Sequence, residues 1–274
     1  MMNCLYCHST NILERKGLTE LGYKRYQCRE CRHRYNERTG TPYNYLEYPT
    51  DIVVLMLFHY TRYKLSFDNV AEIFWLRGFK ICGETIRLWF NQLGVLLGKS
   101  LRKKRRGKAG KSWFVDETYV KVSGQWCYLY RACDKKGELI DCFLSPTRDK
   151  KSAMAFFKSA IDIVGHEPEK VTTDKNPAYP KAIIKSFSSK VKHRTNKYLN
   201  NSIEQDHRDI KSRYYALHGF KDFMCAFIFC VVFEEVRNFF RIFTSGDVIK
   251  LNSSKKSKLI TSKFQEFQKI MSIF

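Results

Sequence analysis

The chain has 274 residues, 44% of them hydrophobic, and carries 49 Lys+Arg against 27 Asp+Glu, a formal net charge of +22. That length holds roughly two domains with real cores, and the charge calls for a polyanionic partner, most simply nucleic acid. A membrane surface is the competing polyanion but is not expected: no signal peptide is visible, and the apolar run Phe223 to Phe233 is too short to span a bilayer and ends in Glu234-Glu235.

Ten cysteines occur, four of them with metal spacing and the others singly in apolar segments, which fits a reducing, cytoplasmic protein better than a disulfide scaffold. Cys4-Leu-Tyr-Cys7 and Cys28-Arg-Glu-Cys31 each offer two thiolates to one tetrahedral ion, and strand and turn character lies between them. Four thiolates close the shell, so residues 1–40 are expected to form a zinc ribbon around one structural Zn²⁺. A redox role would make two matched pairs at ribbon spacing a coincidence. So small a module cannot bury enough surface alone, and the metal should supply its folding energy. Its arginines and lysines point to DNA, with a solvated basic face as the alternative.

Three helical patterns fill 48–98. The first is capped at Thr50 or Asp51 and the second begins at Ser66. The third follows Gly83 and carries Ile86, Trp89, Phe90 and Leu93 at helical spacing. This suits a helix-turn-helix, whose last helix would offer Thr85, Arg87 and Asn91 to the major groove; a plain three-helix core is the competing reading. Residues 99–111 hold eight basic residues in thirteen. They read as a flexible basic linker that clamps phosphates by counterion release through Lys103, Lys104, Arg105 and Arg106.

From Trp113 the pattern turns to strands. The order is strand Trp113 to Val122, turn Ser123-Gly124, strand Gln125 to Cys133 and strand Glu138 to Leu144. Helix Lys151 to Val164, strand Lys170 to Thr173, helix Pro177 to Phe187, strand Lys190 to Arg194 and a helix from Ser202 follow. A βββαβαβα order predicts an α/β fold over 112–244, with a mixed sheet of ribonuclease-H type. Phe220 to Phe243 reads as a core helix. Residues 245–274 form a C-terminal tail: a polar linker Asn252 to Lys258 and an amphipathic stretch that packs on the body or joins a dimer.

Asp116 shares a strand face with Phe114, Thr118 and Val120. A carboxylate among apolar neighbours needs a cation or strong donors, although a strand aspartate taken alone more often caps a turn or pairs with lysine. Asp174 ends the strand expected to lie beside it; taken alone it would be a helix cap. Glu204 supplies a third acid from a helix, where an Arg208 salt bridge is the bland alternative. At about 100° per residue Asp206 lies roughly 160° from Glu204, and alternation turns Glu117 away from Asp116; both are set aside. Three convergent carboxylates suit Mg²⁺ (or Mn²⁺), and two such ions can bracket a phosphate for in-line displacement. Lys211, on the Glu204 face, would steady the DNA backbone.

Several blocks carry a family resemblance: Trp113-Phe-Val-Asp116-Glu-Thr-Tyr-Val-Lys-Val, Trp126-Cys-Tyr-Leu-Tyr-Arg-Ala, Thr173-Asp174-Lys-Asn-Pro-Ala-Tyr179, His193-Arg194, Lys197-Tyr198-Leu-Asn-Asn-Ser-Ile-Glu204-Gln-Asp-His207 and Gly219-Phe-Lys. Taken in this order they resemble a DDE insertion-sequence transposase of the insertion sequence six family, over Asp51 to Phe243. The resemblance implies Asp116, Asp174 and Glu204 as the acidic triad, Lys211 as the basic residue that follows, and magnesium-dependent strand cleavage and transfer. It also implies replicative, cointegrate-type or targeted-conservative transposition. The expected partners are terminal inverted repeats, bound through Cys4 to Leu97, and target DNA, with a homodimer or higher oligomer forming on it. Two departures are a gap of 29 residues between Asp174 and Glu204, shorter than the family's, and the added ribbon. Competing functions are a transposase-derived DNA-binding regulator and a nuclease that cuts without joining.

Overall fold

The structure, a computed structural model, describes residues 3–174, 176–195, 208–214, 219–242 and 253–272. The N-terminal module is an antiparallel sheet of β1 (Ile12–Leu18), β2 (Lys24–Cys28) and β3 (Arg34–Asn36), in that order. Its buried apolar cluster is only Cys4, Cys28 and Tyr35, far too little to offset the conformational entropy of ordering the module. It is tied to the rest of the chain through Tyr23, whose Oη accepts from Thr50 N at 2.7 Å. Arg38, also buried, donates to the carbonyls of Leu46 and Tyr48.

Helices α1 (Thr50–Arg62), α2 (Phe67–Trp75) and α3 (Gly83–Arg105) follow. Ser66 starts α2 with a reciprocal cap: its hydroxyl accepts from Asn69 N and its own N–H donates to Asn69 Oδ1, both at 3.0 Å. This capping box has asparagine where glutamate or glutamine is usual. Gly83 is required where α2 meets α3, because a Cβ there would lie 2.1 Å from Asp68 Oδ1 and 3.0 Å from its backbone nitrogen.

The basic segment expected as a linker is helical through Arg105. Leu97, Leu101 and Arg105 recur at four-residue spacing on the buried face, and acids from elsewhere neutralise part of the run. Arg102 Nη2 reaches Asp141 at 2.9 Å and its Nε reaches Glu235 at 3.2 Å; Arg105 forms a two-pronged pair with Glu235 at 2.7 Å. Self-repulsion, the reason to expect a flexible linker, is thereby removed.

The second sheet has order β6-β5-β4-β7-β8, from β4 (Ser112–Val122), β5 (Gln125–Asp134), β6 (Leu139–Ser145), β7 (Lys170–Thr173) and β8 (Lys192–Thr195). β4, β5 and β6 form an antiparallel meander; β7 and β8 add in parallel to β4. The crossovers run through α4 (Lys150–Val164) and α5 (Ala178–Ser186). This is the mixed sheet of the ribonuclease-H-like fold that the element order predicts. Asp149 caps α4 by accepting from Ser152 N at 2.8 Å, and Gly165 ends it in the left-handed region.

Strand alternation separates two cores. Trp113 and Val115 of β4 pack against α4 and α5 with Phe156, Phe157 and Tyr179. Val120 and Val122 join a larger cluster with Leu129, Leu144, α1 to α3, α7 (Phe223–Phe240) and α8 (Ser253–Ser272). Residues 253–258, expected as a polar linker, are the first turns of α8. The tail packs on the body: Phe267 and Met271 are buried, and Tyr43 Oη donates to Met271 O at 2.8 Å. Helix α6, described over 208–214, is fixed by buried Arg213, which donates to Tyr60 O at 2.7 Å and Leu65 O at 3.0 Å. Among the described residues no helix is long and apolar enough to cross a membrane.

Candidate active site

β7 pairs with β4 over three positions only, Ser112↔Lys170 to Phe114↔Thr172. Two residues further along that parallel register, Asp174 comes beside Asp116. The two aspartates that the sequence nominates are thus neighbours at the point where the sheet opens. Asp116 is half-buried and stands opposite Arg131 in the β4–β5 register. Asp174 is also half-buried, and Oδ1 accepts from Asn176 N at 3.0 Å. Thr173 Oγ1 donates to Asp174 O and takes a hydrogen bond from His193 Nε2, each at 2.9 Å. Burial lowers the His193 pKa, so a neutral imidazole holds this corner.

Glu117 is a correction to the sequence reading. Its carboxylate does not leave the site: ligand oxygens of Asp116, Glu117 and Asp174 all lie within 4.8 Å of one another. Alternation does put Glu117 on the α4/α5 face, but the open strand edge lets its carboxylate reach round toward the aspartates. It is only 8% exposed and well supplied with donors: Tyr179 Oη, the Arg148 guanidinium and Asn176 Nδ2, the last at 2.9 Å. Burial, and then Glu117, push the Tyr179 phenol well above its usual pKa, so it donates. Arg148 spans the acids, with Nη2 3.7 Å from Asp174 Oδ2. Burial would lower the Arg148 pKa, but Glu117 outweighs it and the pKa rises.

Carboxylate oxygens this close repel by about 4 kcal/mol per pair at an effective dielectric of 20, and Arg148 offsets one charge. The donor set is all oxygen, which suits a hard divalent cation such as magnesium. Glu117 is already engaged by Tyr179, Arg148 and Asn176. Of the other nominated residues, Lys211 is exposed on α6, which is joined to β4 by Tyr214 Oη accepting from Lys121 N at 3.0 Å. Glu204 lies outside the described residues, as does the excluded Asp206.

The four ribbon cysteines also converge. Cys4 Sγ lies 3.5 Å from Cys31 Sγ, and Cys7 Sγ lies 3.5 Å from Cys28 Sγ. A disulfide needs about 2.05 Å, whereas a tetrahedral ion with metal–sulfur bonds of about 2.3 Å sets sulfurs about 3.8 Å apart. Each knuckle is followed by a non-glycine residue at φ 59°, His8 and Arg32, a conformation costing roughly 1–2 kcal/mol for an L-residue. The same strained turn in both knuckles is what a shared ion would hold.

The nominated DNA contacts divide. Lys103 and Arg106 are exposed. Lys104 pairs with Glu266 of α8. Arg105 is 7% exposed and held by Glu235, Leu139 O and Ile140 O; it is buried in the helix–sheet junction and is not an exposed phosphate contact. On α3, Thr85 Oγ1 lies 3.3 Å from Cys82 Sγ and Arg87 pairs with Glu84. Asn91 is turned to α7, where Nδ2 meets Cys225 Sγ at 3.5 Å, so it is not a free groove contact. The sequence reading missed Glu117, Arg148, Asn176 and Tyr179. The turn Asn176-Pro-Ala-Tyr179 directly after Asp174 was a usable signal; nothing local marks Arg148.

Residues 110–242 match the family described as a DDE domain. The transposase for insertion sequence-like element IS431mec of Staphylococcus aureus (strain N315) is 41% identical over 175 residues, covering 62% of this chain and 77% of that one. The transposase for insertion sequence element IS257 in transposon Tn4003, also of Staphylococcus aureus, matches at the same identity and coverage. Among solved structures, the HTLV-2 integrase catalytic core domain in complex with magnesium (trimeric form) has 19% identity and a TM-score of 0.38, covering 55% of this chain and 95% of that one.

Proposed function

Because the chain belongs to the DDE-domain insertion-sequence transposases, we propose that it is a DNA transposase that cleaves element ends and joins the freed 3′-hydroxyls to target DNA. The observation that carries this is the convergence of Asp116, within β4, and Asp174, just past the end of the adjacent parallel strand β7. Glu204 is proposed as the third acid. Magnesium, or manganese, held by these carboxylates would polarise the scissile phosphate and favour the deprotonated attacking oxygen.

The chain's own residues do the rest. Arg148 holds Glu117 and approaches Asp174, so it limits repulsion among the acids, and Glu117 and Asp174 hold the Asn176 turn against the sheet. His193 and Thr173 fix the strand end that carries Asp174. Lys211, exposed on α6, would meet backbone phosphate. Terminal repeats would be bound by the ribbon, holding one zinc through Cys4, Cys7, Cys28 and Cys31, and by the N-terminal end of α3 with Thr85 and Arg87; Lys103 and Arg106 add phosphate contacts. The proposed setting is cytoplasmic and DNA-associated, acting as a homodimer or larger assembly, by a replicative, cointegrate-type route.

The test is strand transfer from a pre-cut end into plasmid DNA with magnesium or manganese. Wild type joins; Asp116→Asn, Asp174→Asn and Glu204→Gln each lose joining by orders of magnitude. Wild-type joining rates in those three variants would overturn the assignment.

A further inference from the structure

The β4–β5 hairpin continues beyond the acids. On one face the register sets Glu117 opposite Tyr130, then Tyr119 opposite Tyr128, then Lys121 opposite Trp126. Tyr130 is 1% exposed and stacks on Phe156. Past it the cover ends: Tyr128 is half-buried, Tyr119 is 44% exposed and Trp126 54%. The rings touch in sequence, with Tyr119 5.3 Å from Tyr128 and 6.2 Å from Trp126 between centroids. Cations flank them. Lys121 Nζ lies 4.9 Å from the Trp126 ring, and Arg148 lies 5.8 Å from the Tyr119 ring with Nη1 donating to its hydroxyl at 3.1 Å.

Single exposed aromatics are ordinary. An aromatic stripe laced with cations and ending at three carboxylates has the composition of a single-strand binding surface, where bases stack on rings and cations follow the backbone. We propose that Tyr119, Trp126 and Lys121 form a stacking platform for unpaired bases next to the phosphate at Asp116 and Asp174; this rests on the transposase reading above. Tyr119 is two residues from Glu117, about 7 Å along a strand, so the bases received belong to nucleotides adjacent to the reacting one. Duplex DNA offers only base edges and backbone, whereas ring faces become available once a base leaves the helix. A second copy of this chain fits less well, since it would bring another +22 charge against Lys121 and Arg148.

The experiment compares binding of the full-length protein, by fluorescence anisotropy, to a flush terminal duplex and to the same duplex with a short single-stranded extension at the cleaved end. Wild type binds the extended end more tightly. Trp126→Ala weakens that binding by roughly 5- to 150-fold, the range for one lost base stack, and leaves the flush duplex unchanged; Trp126→Phe keeps most of the preference. Tyr119→Leu, which keeps bulk without an aromatic face, also loses it. Equal affinity for both ends in wild type, or an intact preference in Trp126→Ala and Tyr119→Leu, overturns the platform. So does a shift of Trp126→Ala to a smaller species in size-exclusion chromatography with the preference intact, which would assign the surface to a second copy. A wild type that prefers the extended end yet joins no pre-cut DNA refutes the transposase reading and leaves the platform standing.

Discussion

Glu117 and Arg105 show how far a residue can be read without its distant neighbours. Periodicity correctly puts the Glu117 backbone on the α4/α5 side of β4, but the carboxylate is steered by Arg148, Asn176 and Tyr179, which are far off in sequence. Asp116 and Asp174 were legible because each sits at a place the strand pattern defines. Removing the Glu117 charge should therefore act through its neighbours. Glu117→Gln keeps the shape but releases Arg148, which then pairs with Asp174 and competes with the cation. Strand transfer is expected to fall at least about tenfold, the effect of roughly 1.4 kcal/mol, with the loss partly recovered at higher magnesium. Recovery at high magnesium is absent if Glu117 is only a fold residue. Magnesium should also raise the melting temperature of wild type, since a ligand bound only to the native state stabilises it. Asp116→Asn should abolish that rise in a thermal-shift measurement.

At the scale of elements, the strands and most helix starts followed from alternation, caps and turns, because those forces act within a few residues. The reach of α3 did not. It continues to Arg105 with Glu235 and Asp141 neutralising Arg102 and Arg105 across more than thirty residues of sequence. Glu235 is 1% exposed, so Glu235→Ala would leave the buried Arg105 without its carboxylate, while Arg102 keeps Asp141. Breaking a buried pair from one side costs about 3–5 kcal/mol, and urea denaturation should show that loss; a change below about 1 kcal/mol would mean that the pair is solvated. The convergence of Cys4, Cys7, Cys28 and Cys31 is the opposite case, legible because two matched pairs at set spacing suit one shared site. With a buried cluster of three residues, the N-terminal module should depend on the proposed zinc. Chelation is expected to unfold residues 1–40 and expose all four thiols to a thiol reagent, while the sheet holding Asp116 keeps its amide protection in hydrogen exchange.

Across the whole molecule, the helices nominated for DNA binding and the face of the sheet that carries Asp116 share one apolar cluster, running from Val53 and Phe74 through Leu97 to Leu129 and Val232. Gly94 and Gly98 make the junction possible: a Cβ at either would meet Val232 or Val231 of α7 at 3.3 Å. Composition could not disclose this continuity, because the eight-cation run at the junction has the signature of a solvated spacer. The structure divides that run by destination, and the division has a measurable consequence. Each cation that neutralises a phosphate contributes about −0.9 to the slope of log K against log salt. Lys103 and Arg106 are exposed, so Lys103→Ala should make the slope for a terminal duplex shallower by about 0.9 and leave the melting temperature unchanged. Arg105 is bound inside by Glu235 and two carbonyls, so Arg105→Met should lower the melting temperature and leave the slope of the surviving native protein as it was. If both variants reduce the slope equally, the basic run acts as one phosphate clamp and α3 does not divide it. If only Lys103→Ala does so, the +22 charge serves two ends: part is held inside to join helix to sheet, and part is presented at the surface for DNA.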